Sequence, residues 1–187
     1  IARSYRFAEQ HRAIGLGVLG YHSYLQSKLV EFESMQAKMM NVEIFKTIKE
    51  RSDDTSKMLC LAKDVMSIRP GFANTTLVAI APTKSSSFIH GQVSMGIEPI
   101  KSNYFIKDLA KSKTVYKNPF LEAELDKYGL NTPETWDSIL KKDGSVQHLD
   151  FPTKAVFKSF IEISPKELII QAAARQKFID QSQSLNL

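Results

Sequence analysis

A single cysteine, Cys60, occurs in the 187 residues. No disulfide can form within the chain, and a reducing, cytoplasmic setting is the expectation. No run of about 18 apolar residues is present, which argues against a membrane-spanning helix. The first residues, Ile1-Ala2-Arg3-Ser4-Tyr5-Arg6, carry charge but no apolar stretch and no small-residue cleavage pattern, so they do not read as a signal peptide. An initiator Met and a polar C-terminal tail are both missing, and the expectation is a piece cut from a longer protein. Internal repeats and low-complexity segments are absent as well.

The hydrophobic share is 43%, ordinary for one sizeable globular domain and against disorder or a fibre. The net charge is +5, from 25 basic and 20 acidic side chains. The densest basic stretch is Lys101, Lys107, Lys111, Lys113 and Lys117. Tyr104, Phe105 and Tyr116 lie near it, but no nucleic-acid motif accompanies them, so a solvated face is expected. His11, His22, His90 and His148 are scattered. His148 and Asp150 lack a third ligand at suitable spacing, and no metal site is expected.

Apolar residues at Phe7, Ile14, Val18, Tyr21, Leu25 and Leu29 predict one helix over residues 6–29. Ser34 is a candidate cap for a second helix. Met35, Met39, Val42, Phe45 and Ile48 would form its buried stripe, continued by Leu59, Ala62 and Met66. Arg69-Pro70-Gly71 would end that segment. The short apolar run at residues 76–81 reads as a buried strand of a parallel sheet. Asn118-Pro119 and Thr132-Pro133 each place a capping side chain before Pro at the first helical position. Ser164-Pro165-Lys166-Glu167 adds Glu at the capping-box position and predicts a helix to about Phe178. Residues 182–187 read as a strand. Helices alternating with short apolar strands predict an α/β fold.

Gly15-Leu16-Gly17-Val18-Leu19-Gly20 has the G-x-G-x-x-G spacing. A dinucleotide site needs a strand before it. Here the preceding residues are Arg6, Glu9, Gln10, His11 and Arg12, so the glycines read as points of close helix packing. Pro82-Thr83-Lys84-Ser85-Ser86-Ser87 follows the strand at residues 76–81, where α/β folds commonly bind ligands. A helix starting there would offer free backbone N–H groups to an anion, with serine and threonine hydroxyls beside them. A capped helix start without ligand is the equal alternative. Cys60 reads as a small apolar residue of a helix, and Glu98 as a buried structural carboxylate.

Four stretches carry a family likeness: residues 12–20, residues 81–87, Gly96-Ile97-Glu98-Pro99 with Ser102-Asn103-Tyr104-Phe105, and residues 176–184. In this order, over nearly the whole chain, they resemble the large, catalytic subunit of class I ribonucleotide reductases. The resemblance implies the second half of a ten-stranded α/β barrel, as a single fragment over residues 1–187. It implies reduction of a ribonucleoside diphosphate for DNA synthesis, started by a thiyl radical and completed by two further cysteines. The matching region follows the family's finger loop and precedes its radical-relay tyrosines. Cys60 matches none of the family's catalytic thiols, so no catalytic residue is assigned here. What carries over is substrate-phosphate binding by Pro82, Thr83, Lys84, Ser85 and Ser86. Thr83 and Ser86 would bond phosphate oxygens through their side chains, and the N–H groups of Lys84, Ser85 and Ser86 would complete the cradle. Lys84 departs from the acidic or neutral residue of some relatives. No cofactor is implied within this segment. The family's partners are a radical-generating small subunit with a metal centre and a thioredoxin- or glutaredoxin-type reductant. The rest of the large subunit and a second copy of the chain would also be partners, since half a barrel exposes sheet edges. The alternative is a non-catalytic binding or assembly module, or one half of a split gene.

Overall fold

The computed structural model describes the backbone of residues 1–109 and 112–187, and the side chains of residues 1–106 and 115–187. Seven helices and one antiparallel strand pair are seen among them: α1 (Ala2–His11), α2 (Tyr21–Ser27), α3 (Met35–Lys63), α4 (Lys84–Ile89), β1 (Tyr104–Leu109), β2 (Ser112–Lys117), α5 (Pro119–Lys127), α6 (Pro133–Lys141) and α7 (Pro165–Gln176).

The helix anticipated over residues 6–29 is two helices with an extended segment between them. Arg12 takes a left-handed conformation at φ 45° and ends α1. Residues 14–16 then run parallel to residues 76–79. Ile14 N donates to Thr76 O at 3.1 Å, Leu16 N to Leu77 O at 2.7 Å and Ala79 N to Leu16 O at 3.0 Å. The glycines therefore serve strand approach rather than helix packing. A Cβ on Gly17 would stand 2.6 Å from the Ala79 carbonyl oxygen, so only a residue without one fits. Gly20, at φ 77°, turns the chain into α2.

Residues 76–80 are extended and largely buried, as the apolar run anticipated, but they form no regular strand. They are the middle of a narrow parallel ribbon held by isolated bridges, Leu16 with Val78 and Ile80 with Gln183. On the far side Ile80 N donates to Ser182 O at 3.2 Å, and Ser184 N to Ile80 O at 2.9 Å. The strand anticipated over residues 182–187 pairs only at Gln183. Asp180 ties the ribbon together. Its carboxylate accepts from Leu77 N at 2.9 Å, Val78 N at 3.0 Å and Lys49 Nζ at 2.7 Å. Burial pushes its pKa up, but these donors outweigh it and hold the carboxyl below its ordinary value.

Ser34 caps α3 by accepting from Ala37 N at 3.1 Å. The buried stripe is displaced from the anticipated one. Ala37, Asn41, Phe45, Ser52 and Ser56 face inward, Val42 and Ile48 are half-buried, and Met35 and Met39 are 70% and 66% exposed. Leu59, Ala62 and Met66 are exposed too. The inward face of α3 is partly polar because it meets buried polar groups of α7, which an apolar count cannot register. Left-handed Asp64 stops α3 before the Arg69-Pro70-Gly71 turn.

Asn118 and Thr132 cap α5 and α6 as anticipated. Ser164 starts α7, which ends at Gln176, but the reciprocal bonds of a capping box do not form there. Glu167 instead pairs with Lys38 of α3 at 2.7 Å. The bonds of that kind appear at Glu162, which accepts from Ser159 N at 2.7 Å and Ser159 Oγ at 2.8 Å. The β1–β2 pair, with Tyr104 opposite Lys117, is an element that the sequence reading did not anticipate.

Three apolar clusters fill the interior. One joins α5, α6 and the following turns through Leu121, Leu125, Trp136, Ile139, Phe151 and Phe157. The second packs α2 against α7 through Tyr21, Leu25, Ile163 and Leu168. The third lies under the ribbon and holds Phe45, Leu77, Val78, Ile80, Ile97 and Ile179. Among the described residues no helix is long and apolar enough to cross a membrane.

Candidate functional site

The loop at residues 81–87 leaves the end of the ribbon's middle strand. Leu77, Val78 and Ile80 are buried and fix that strand, while Pro82 stops it because it has no N–H to donate. Thr83 then adopts φ 48°, a left-handed conformation costly for a β-branched residue. The turn starts α4, and Ser87 N donates to Thr83 O at 2.9 Å. No side chain caps this helix. The N–H groups of Lys84, Ser85 and Ser86 have no partner among the described residues. Ser85, Ser86 and Lys84 are exposed, whereas Ser87 is buried and its hydroxyl donates to Lys84 O at 3.0 Å.

The strained Thr83 is held from outside the loop. Its Oγ1 accepts from Gly96 N at 2.7 Å, which leaves its own hydroxyl hydrogen free to turn outward. Gly96 sits at φ 51°, with the Ala81 carbonyl where a Cβ would press. The segment around Gly96 hangs in turn on the start of α2. Gly20 N donates to Ser94 O at 2.8 Å and Tyr21 N to Gly96 O at 3.2 Å. Ser23 N donates to Ser94 Oγ at 3.2 Å, and Ser94 N to Ser23 Oγ at 2.9 Å.

Glu98 is buried and structural, as anticipated. It accepts from Asn186 N at 3.0 Å and from Asn186 Nδ2 at 2.8 and 2.9 Å. The stretches at residues 12–20, 81–87, 96–99 and 176–184 thus meet in space around one strand. Only the chain's path, and no spacing rule, brings them together.

Behind the ribbon lies a polar network that sequence reading missed. Arg175 of α7 is 1% exposed. Its Nη1 donates to Asn41 Oδ1 at 3.0 Å and its Nε to Gln183 Oε1 at 2.6 Å. Asn41 Nδ2 donates to Gln171 O at 2.9 Å, and Tyr21 OH to Gln171 Oε1 at 3.0 Å. Burial lowers the Arg175 pKa to about 10 and raises that of Tyr21. His22 is buried with Nδ1 accepting from Ile100 N at 2.9 Å, and burial lowers its pKa to about 3, so the ring is neutral at physiological pH. The only signal in the sequence was polar residues on the inward faces of otherwise apolar helices.

Other candidates fall outside the site. Cys60 is half-buried on α3. His148 Nε2 lies 3.0 Å from Ser138 Oγ. Of the basic stretch, Lys117 packs over the Trp136 ring at 4.8 Å and Lys101 is exposed. The side chains of Lys107, Lys111 and Lys113 lie outside the described residues.

A family model described as "Ribonucleotide reductase, barrel domain" matches residues 3–68 and 61–187. The chain belongs to that family. It is 39% identical over 197 residues to the ribonucleoside-diphosphate reductase large subunit of Invertebrate iridescent virus 3, covering 100% of this chain and 31% of the relative. The large subunit of Caenorhabditis elegans is 30% identical over 215 residues, covering 95% and 27%. Among solved structures, the Actinobacillus ureae class Id ribonucleotide reductase alpha subunit superposes with a TM-score of 0.89 at 52% identity, over 97% of this chain and 34% of that one. The ribonucleotide reductase segment described here thus spans about a third or less of the relatives it matches.

Proposed function

We propose that this chain is part of the catalytic subunit of a ribonucleoside-diphosphate reductase, the second half of its ten-stranded barrel, and that it contributes the loop holding the substrate phosphate. The observation that carries the reading is the loop at residues 83–86. It combines three N–H groups free of partners, the exposed hydroxyls of Ser85 and Ser86, and a Thr83 Oγ1 fixed by Gly96. The free N–H groups and the dipole of α4 favour an anion. Ser86 and Thr83 donate to phosphate oxygens, and Pro82 sets the loop's departure. The Lys84 ammonium is exposed beside the site and adds favourable charge.

The loop's part in the reaction is positioning. Anchoring the phosphate fixes the ribose for a radical thiol supplied outside this segment. Such fixing can lower a barrier by several kcal/mol. Cys60 takes no part, since it sits on α3 away from the loop. The reducing cysteines, the radical-generating small subunit with its metal centre and the thioredoxin-type reductant are supplied by the rest of the enzyme. The segment alone is inactive, and mixing it with the remainder of the subunit restores deoxynucleotide formation.

The test is Ser86→Ala in the complete large subunit, titrated with cytidine diphosphate by calorimetry. The expected result is about tenfold weaker binding, the worth of one hydrogen bond to a charged group, with an unchanged melting temperature. Equal affinity of mutant and parent would overturn the assignment.

A further inference from the structure

One helical turn along α4 from the phosphate loop lies a cavity of about 390 Å³. This volume is within the range of about 300–1,000 Å³ typical of small-molecule sites. Its walls are largely apolar, from Phe88, Val93, Met95, Pro99, Ile100 and Phe105. Phe105 and Tyr116 lie side by side at 4.9 Å between ring centroids, tilted by 31°, and make an aromatic wall.

The polar groups around the cavity narrow what it can hold. Three serines line it, and all three hydroxyl oxygens are engaged elsewhere, though Ser94 keeps its own hydrogen. Ser87 Oγ donates to Lys84 O, Ser94 Oγ accepts from Ser23 N, and Ser102 Oγ donates to Tyr104 O. Glu98 and Lys101 contribute opposite charges that cancel, and both Glu98 oxygens are taken by Asn186. Tyr116 is different. It is only 6% exposed, and its hydroxyl has no hydrogen-bond partner among the described residues. Burial alone drives its pKa up to about 12, so it stays a neutral donor at physiological pH. The hydroxyl is not among the buried, unpartnered polar atoms of the described residues, so it keeps contact with solvent and is available to donate to a ligand acceptor.

We infer that this cavity binds a small, neutral, planar molecule, apolar over most of its surface, whose hydrogen-bond acceptor is received by the Tyr116 hydroxyl. An ion is disfavoured because the lining charges cancel. A strongly polar molecule is disfavoured because, besides Tyr116, only the Gln92 amide and the Ser94 hydroxyl hydrogen remain to meet it in a largely apolar wall. The aromatic wall selects a flat shape.

Coumarin is a suitable probe, being neutral, bicyclic and equipped with a carbonyl acceptor. Naphthalene, of similar shape but without the acceptor, is the comparison. Both are titrated by ligand-observed NMR against the complete large subunit and its Tyr116→Phe variant. Coumarin should bind the parent saturably, and the variant about fivefold more weakly, the worth of one neutral hydrogen bond. Naphthalene should bind both equally. Without ligand, Tyr116→Phe should melt no lower than the parent, because the hydroxyl it removes has no partner. Three outcomes would overturn the inference: no saturable coumarin binding to the parent, equal coumarin affinity in parent and variant, or a clear fall in the variant's melting temperature, which would reveal a protein partner for the hydroxyl.

Discussion

The lobe around α5 and α6 and the ribbon region beneath α3 and α7 are stabilised in opposite ways. In the lobe, Leu121, Leu125, Ile139, Val146 and Phe157 are fully enclosed by other apolar side chains. The ribbon keeps a small apolar layer but relies on ions and amides: Asp180 across two strands, and Arg175 with Asn41, Gln171 and Gln183 behind them. One edge of residues 14–16 has no neighbouring strand among the described residues, and Ile14 and Leu16 are exposed. The lobe is complete in itself, whereas the ribbon presents apolar surface and an open edge, the usual marks of a surface meant to be covered. The loop at residues 81–87 leaves the ribbon, whose ends are held by directional bonds that set geometry more finely than apolar burial does.

The sharpest test of that contrast is Phe157→Ala. Its cavity should cost about 3–5 kcal/mol, as for large-to-small changes in closed cores. A thermal or urea melt of the complete protein would check it, and a loss under 1 kcal/mol would show that the lobe is not tightly packed.

Arg175→Met should cost less, about 2–3 kcal/mol. It removes a buried cation but strands the Asn41 and Gln183 carbonyl oxygens. If Arg175→Met were neutral or stabilising, the ribbon's polar network would be dispensable for stability, and the contrast between the regions would fail.

Asp180→Asn should lose about 1–2 kcal/mol at neutral pH. The native Asp180 pKa lies below its unfolded value of about 3.9. Its contribution is therefore fully present above that value and is lost as pH falls through the native pKa. Urea midpoints of parent and mutant measured from pH 7 downward should converge in acid. A constant gap at every pH would mean that the carboxylate's charge is irrelevant.

The smallest effect belongs to Leu61→Gln. Leu61 is 85% exposed on α3, and the change should stay within about 0.5 kcal/mol in either direction. A larger loss in the complete subunit would show that the rest of the protein covers this face of α3.

Local rules read well wherever local chemistry decides. Ser34, Asn118 and Thr132 cap their helices because a side-chain oxygen finds a backbone N–H two or three residues ahead. The burial of residues 76–80 was legible from their apolar, β-branched run, although they pair only through isolated bridges and not as a regular strand. The reading failed where distant segments decide. Residues 12–20 have helical apolar spacing, yet the neighbouring strand offers hydrogen bonds that a helix there would forgo. Glu167 forsakes its capping role for Lys38, and Met35 and Met39 lose the inward face of α3 to Ala37 and Asn41. The β1–β2 pair escaped notice because its lysines outweighed its alternating apolar residues.

By itself the sequence determined the family, the mixed helix-and-strand character and the position of the loop at residues 81–87, because motif order and Pro82 are properties of the chain alone. The tertiary structure decided how that loop is held. The Gly96 N–H reaches Thr83 from 13 residues away, and Gly20 and Ser23 hold the Gly96 segment from farther still. It also decided that Tyr116 lines a largely apolar cavity. Such contacts join residues that no spacing rule connects, and they follow from the folded path of the chain.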